Sequence, residues 1–218
     1  MPTRWTETTI NYCERLTLDF WAEPFNALSN LAFVMASGLL LARLWRRPGA
    51  PLSHYWQATM VGVIGVGSFL FHTFATFWAQ AADIVPIQLF ILGYLVNFAR
   101  WQAGVPWRRA WLTVPVFIVF ELGCRKFFGL FPLNNSGNYA SALFALLGFT
   151  FQVWRAGQAR WPPFALATGL FAVSLIFRTI DPWICPSFPI GTHCFWHLCN
   201  AGTLYLVTGA LPMDTQAR

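Results

Sequence analysis

Charge is what this sequence has least of. Only 10% of its 218 residues are Asp, Glu, Lys or Arg while 56% are hydrophobic, against roughly 25% charged residues in a soluble domain. With a mean hydropathy of +0.50, the chain falls outside the water-soluble globular class and belongs in a bilayer. It also lacks an apolar run at its start. Residues 1–19 are polar and mixed in charge, without the h-region of a cleavable signal peptide, so the N-terminal segment is expected to stay in the mature protein. Five cysteines are too few for a disulfide scaffold, and no low-complexity stretch or internal repeat is visible. The net charge of +6 does not mark a nucleic-acid surface, because the basic residues stand in small clusters between apolar runs, as connecting loops place them.

What is there is a series of seven apolar spans, at residues 26–45, 56–76, 79–99, 110–124, 139–154, 163–177 and 193–211, long enough or nearly so for about 30 Å of hydrocarbon. They predict an all-α, seven-helix transmembrane bundle forming one domain over residues 1–218, with 1–25 as an extracytoplasmic N-terminal segment. The fourth span is short, contains Pro115 and runs into Glu121, Arg125 and Lys126, so six spans with a re-entrant fourth segment is the alternative. Arg43, Arg46, Arg47, Arg100, Arg108, Arg109, Arg155, Arg160 and Arg218 fall on one side, against Arg4, Arg15, Arg125, Lys126 and Arg178 on the other. By the positive-inside rule the C-terminus is expected in the cytoplasm and the N-terminus outside.

Histidine is also scarce, and three of the four lie in apolar segments: His72 ends Gly67-Ser-Phe-Leu-Phe-His72, and His193-Cys-Phe-Trp-His197 opens the seventh span. An i, i+4 pair puts two imidazoles on one helical face, and a histidine in hydrocarbon needs a partner. The end of span two and the start of span seven lie on the same side of the membrane, so the three rings are expected at one depth. Ser68, one turn before His72, and Asp83, early in span three, fall at that level. Three neutral imidazoles leave a fourth tetrahedral position for water, the pattern of catalytic zinc. A nearby carboxylate, Asp83, is placed to take a proton from that water, and Ser68 to donate to an oxyanion. The competing reading makes each histidine a hydrogen-bonded packing residue and lets Ser68 bond its own helix.

Ser68-Phe-Leu-Phe-His72, Asp83 eleven residues on, and His193-Cys-Phe-Trp-His197 together resemble the alkaline ceramidase family of seven-helix membrane amidases. Tyr12-Cys-Glu-Arg and Ala22-Glu-Pro-Phe-Asn-Ala-Leu-Ser-Asn30 are similar to that family's N-terminal signature. The wider superfamily includes adiponectin-receptor-like proteins with the same Ser, Asp and three-His pattern. The resemblance implies zinc on His72, His193 and His197, catalysis by Ser68 and Asp83, and hydrolysis of the amide of ceramide to sphingoid base and fatty acid. It also implies calcium on the acidic N-terminal segment, with Asn11, Tyr12, Glu14, Asp19 and Glu23 as the candidate ligands. There the match departs: Asn11 stands where an acidic residue is usual, Leu16 near a usual Asn, and the stretch before Glu23 is shortened. The resemblance further favours a Cys13–Cys185 disulfide, which an oxidising compartment permits; Cys124, Cys194 and Cys199 read as packing residues.

The resemblance thus implies a zinc-dependent intramembrane amidohydrolase acting on ceramide or a related N-acyl lipid. The substrate is expected to enter laterally between helices lined by residues such as Phe69, Phe71, Leu89 and Phe195. A lipid-responsive receptor with a zinc site and a proton-coupled transporter are the other classes; the lack of paired broken helices in matching halves counts against the transporter. The expected partner is the lipid substrate alone, with no nucleic acid and no obligatory protein. The expected location is a multi-pass position in the inner membrane of a bacterium or in a eukaryotic endomembrane.

Overall fold

Among the described residues the apolar runs fold as seven helices, and 74% of those residues are helical. The computed structural model describes residues 4–9 and 11–213; Arg218, counted above among the loop charges, and residues 1–3 and 10 of the N-terminal segment lie outside the described residues. We number the helices α1 Pro24–Trp45, α2 Leu52–Phe74, α3 Phe77–Gln102, α4 Thr113–Phe128, α5 Ala140–Arg155, α6 Trp161–Ile184 and α7 His193–Ala210. Among the described residues there is no strand, only an isolated bridge between Thr8 and Thr76. Helices α1, α2, α3 and α6 are long and apolar enough to cross a membrane. The other three run 16, 16 and 18 residues, about 24–27 Å at 1.5 Å per residue.

Each helix packs on the next and α7 packs on α1, which closes the bundle into a ring. Its apolar centre draws on six of the seven helices, with Phe33 and Leu40 of α1, Val61 and Ile64 of α2, Phe90 of α3, Leu146 of α5, Phe164 of α6 and Val207 of α7 buried together. Several polar groups inside the ring are paired. Gln57 donates to the Phe90 carbonyl at 3.0 Å, Tyr94 to Val207 at 3.0 Å and Ser37 to Ala58 at 2.8 Å, as apolar surroundings require.

Two features depart from the sequence reading. The fourth segment is a helix that starts at Thr113 and continues through Glu121, Arg125 and Lys126 to Phe128. Pro115 sits in its first turn, where a missing N–H costs nothing, and Glu121 accepts from Gln88 of α3 at 3.0 Å. The sixth span does not stop at Phe177, because α6 continues two further turns to Ile184. Arg178 is therefore not a loop charge. It and Asp181 look like the end of an apolar run, yet each finds partners inside the protein.

Candidate active site

His72 lies in the last turn of α2, and His193 and His197 lie one turn apart at the start of α7. The three rings meet with centroids 5.2, 4.8 and 4.6 Å apart, and one nitrogen from each lies within 4.8 Å of the others. All three are buried.

Hydrogen bonds fix which nitrogen of two rings faces inward. His72 Nδ1 lies 2.6 Å from Glu23 Oε2, and a carboxylate can only accept, so the proton is on Nδ1 and the Nε2 lone pair is free. Ser29 donates its hydroxyl proton to the Asn26 carbonyl at 2.8 Å and lies 2.7 Å from His197 Nδ1. With its one proton spent, Ser29 accepts from Nδ1–H, and His197 Nε2 is likewise free. His72 Nε2 and His193 Nδ1 are buried without a hydrogen-bond partner, which is costly unless something else uses them. Three imidazoles, two of them oriented by such partners, are a donor set suited to zinc.

Ser68 Oγ is 3.4 Å from His197 Nε2. Asp83, on the facing turn of α3, is close enough to Ser68 and His72 to interact with both. The helices come this close because a side chain at Gly67 would strike the Ala82 carbonyl. Tyr12, from the N-terminal segment, stacks on His193 with centroids 3.9 Å apart, and burial pushes its phenol up to about 12. The guanidinium of Arg178 sits 5.2 Å from the Trp196 ring and 5.5 Å from Tyr139 and donates to the Tyr12 hydroxyl at 3.4 Å.

The N-terminal segment ties the helix ends around this centre. Burial pushes the Glu14 carboxyl up, yet it accepts the N–H groups of Phe25 and Asn26 at 2.6 and 2.9 Å, capping α1 where the helix dipole favours an anion. Burial alone would raise Glu23, but hydrogen bonds from His72, Arg15 and Asn26 hold it below the usual range. Asp181 Oδ1 accepts the N–H groups of Thr192 and His193 at 2.7 and 3.0 Å, and Oδ2 that of Cys13 at 3.3 Å. It thereby caps the helix that carries two of the histidines. A side chain at Gly191, φ 71°, would collide with Asp181 and Cys13. Cys13 and Cys185 are bonded, with Cα atoms 5.3 Å apart.

From the histidines a cavity runs down the inside of the ring, lined near its head by Ser68, Asp83, His193, His197 and Arg178 and beyond by apolar residues such as Ile87, Ile91, Leu95, Phe149 and Leu204. From Asp83 to Leu95 along α3 is about 18 Å. Of the four lining residues expected from the sequence, Phe71 is there. Phe69, Leu89 and Phe195 are not among its walls; Leu89 and Phe195 are on the outer surface, since Leu89 is turned away from Ile87 and Ile91 by the helical period.

The candidate calcium ligands do not fit that ion. Glu23 is occupied by Arg15, His72 and Asn26, and Glu14 by two backbone N–H groups. Tyr12 turns its ring to His193 and its carbonyl to the N–H of Arg15 at 3.2 Å. The exposed Asp19 accepts from Thr17 at 2.8 Å, and Asn11 donates to Thr9 at 3.2 Å. Too few free oxygens converge for an ion that takes six to eight, and the Arg15 guanidinium already sits among them.

Sequence reasoning missed Ser29, Arg15, Arg178 and Asp181. The signal for the last two was present, because an ionisable residue close to an apolar run is a candidate for function.

A ring of apolar helices, a buried three-histidine group able to hold a metal and an elongated apolar cavity mark a membrane-associated protein with a candidate active site. The family model named Ceramidase matches residues 5–215, nearly the whole chain, and the protein belongs to the Ceramidase family. It is therefore a hydrolase of the amide bond of ceramide, a lipid substrate. No curated protein matches this chain.

Proposed function

We propose that the protein is a zinc-dependent intramembrane amidohydrolase that cleaves ceramide or a closely related N-acyl lipid where it lies in the bilayer. The observation that carries this reading is the convergence of three imidazoles, two with Nε2 freed by Glu23 and Ser29, at the head of an apolar cavity that also receives Ser68 and Asp83. Zinc on three imidazoles lowers the pKa of a bound water to about 7 and polarises a carbonyl oxygen. Asp83 takes the proton of the attacking water as its oxygen bonds to the amide carbon, and returns it to the nitrogen as the C–N bond breaks. Ser68 donates to the oxygen that gains charge. The acyl chain lies in the apolar part of the cavity. Tyr12 and Tyr139 remain protonated donors beside the reacting group.

The N-terminal segment and the metal centre face the extracytoplasmic side in this reading. Arg15 and Arg178 are committed inside the protein, so among the described residues the exposed basic groups are Arg4, Arg125 and Lys126 on the metal side against Arg43, Arg46, Arg47, Arg108, Arg109 and Arg155 on the other, which supports the positive-inside argument. Mass spectrometry of products after incubating purified protein with a panel of N-acyl lipids tests the reading. Paired release of sphingoid base and fatty acid is expected, and no release from any member would refute it.

A further inference from the structure

Arg15 takes no part in cleaving an amide, yet its side chain is fully buried. A guanidinium has five N–H donors and accepts nothing, and here its nitrogens are all turned onto oxygen. Nε donates to Glu23 Oε1. One terminal nitrogen reaches the carbonyls of Thr17 and Asp19 at 3.4 and 3.3 Å, and the other reaches those of His72 and Thr73 at 2.8 and 3.4 Å. A carboxylate oxygen and four carbonyls from separate stretches of chain thus surround one positive charge, the kind of shell a hard divalent cation takes.

Two of those carbonyls belong to the last turn of α2, which has no helical partner for them and carries the negative end of the helix dipole. The same guanidinium therefore holds the backbone of His72 directly and, by pairing Glu23, holds the carboxylate that orients the His72 ring. A lysine would put its charge there as a single point, without the planar fork that spans separate oxygens.

We propose that the Arg15 guanidinium is a built-in substitute for a divalent cation beneath the histidine centre. As a positioning residue, it aims His72 without calcium. The inference rests on reading the three histidines as zinc ligands, but one arm of its test does not.

In that arm, the melting temperature of purified wild-type protein is followed in detergent as calcium is raised from trace to about 10 mM, above the weakest protein calcium sites. No shift is expected, and a saturable rise would overturn the proposal whether or not zinc is bound. In the second arm, zinc affinity is measured by chelator competition for wild type, Arg15→Lys and Arg15→Ala. Loss of support behind a ligand typically weakens metal binding about tenfold to a hundredfold, and that loss is expected in both variants at wild-type helix content. Millimolar methylguanidinium should restore part of the loss in Arg15→Ala, while methylammonium should not. If Arg15→Ala does not fold, Arg15→Lys decides alone. Wild-type zinc affinity in Arg15→Lys would overturn the proposal, as would equal rescue by the two cations.

Discussion

His72 donates its Nδ1 proton to Glu23 across 2.6 Å, and both side chains are buried. The carboxylate that orients this ring comes from the N-terminal segment, 49 residues earlier in the chain. That segment therefore contributes directly to the candidate site. Adjacent residues there close two different helices, Glu14 the start of α1 and Arg15 the end of α2.

Glu23→Gln should weaken zinc binding about tenfold to a hundredfold, because an amide no longer attracts the imidazole proton as a charge does. It also leaves the Arg15 cation unpaired, and breaking a buried ion pair costs about 3–5 kcal/mol. Chelator competition and a thermal melt should both register the change. A variant with wild-type values in both would remove Glu23 from the account.

Asp83→Asn and Ser68→Ala should separate chemistry from folding. Asp83→Asn is expected to keep its zinc and its melting temperature while turnover falls about a hundredfold or more. Ser68→Ala is expected to cost about tenfold to a thousandfold in turnover. Steady-state rates with metal analysis of the same samples check this, and undiminished turnover in Asp83→Asn would exclude its role.

Alkylation of unreduced, denatured protein should modify three thiols, those of Cys124, Cys194 and Cys199, and five after reduction. Loss of the Cys13–Cys185 bond through Cys185→Ser should destabilise the fold by about 2–5 kcal/mol. Five modified thiols before reduction would contradict the bridge.

The three-histidine group was legible in the sequence because its signal is local. His193 and His197 are one turn apart, as are Ser68 and His72, and a helix turns such spacing into a shared face. Arg178 and Asp181 were not legible, since hydropathy scores a charge as the end of a span and cannot see the aromatic rings or the helix end that satisfy it. Glu23 was read as a calcium ligand because its partners, Arg15 and His72, are brought to it only by the closed ring. The walls of the cavity depended on helix phase, and Leu89 in place of Ile87 or Ile91 was an error of that kind.

The cavity predicts a dependence on acyl length. Each methylene buried along Ile87, Ile91 and Leu204 contributes about 0.8 kcal/mol, so kcat/KM should climb with chain length until the cavity is filled. Ile91→Trp, partway down it, should penalise long chains and spare short ones. A flat series in wild type, measured in one detergent, would argue against acyl binding inside the ring.

The most direct test is to titrate zinc into metal-free protein while following release of fatty acid from ceramide. The account predicts that activity rises in proportion to added zinc and levels off at one ion per chain, and that His197→Ala gains nothing from the metal. Full turnover by the metal-free protein, unchanged as zinc is added, would contradict it.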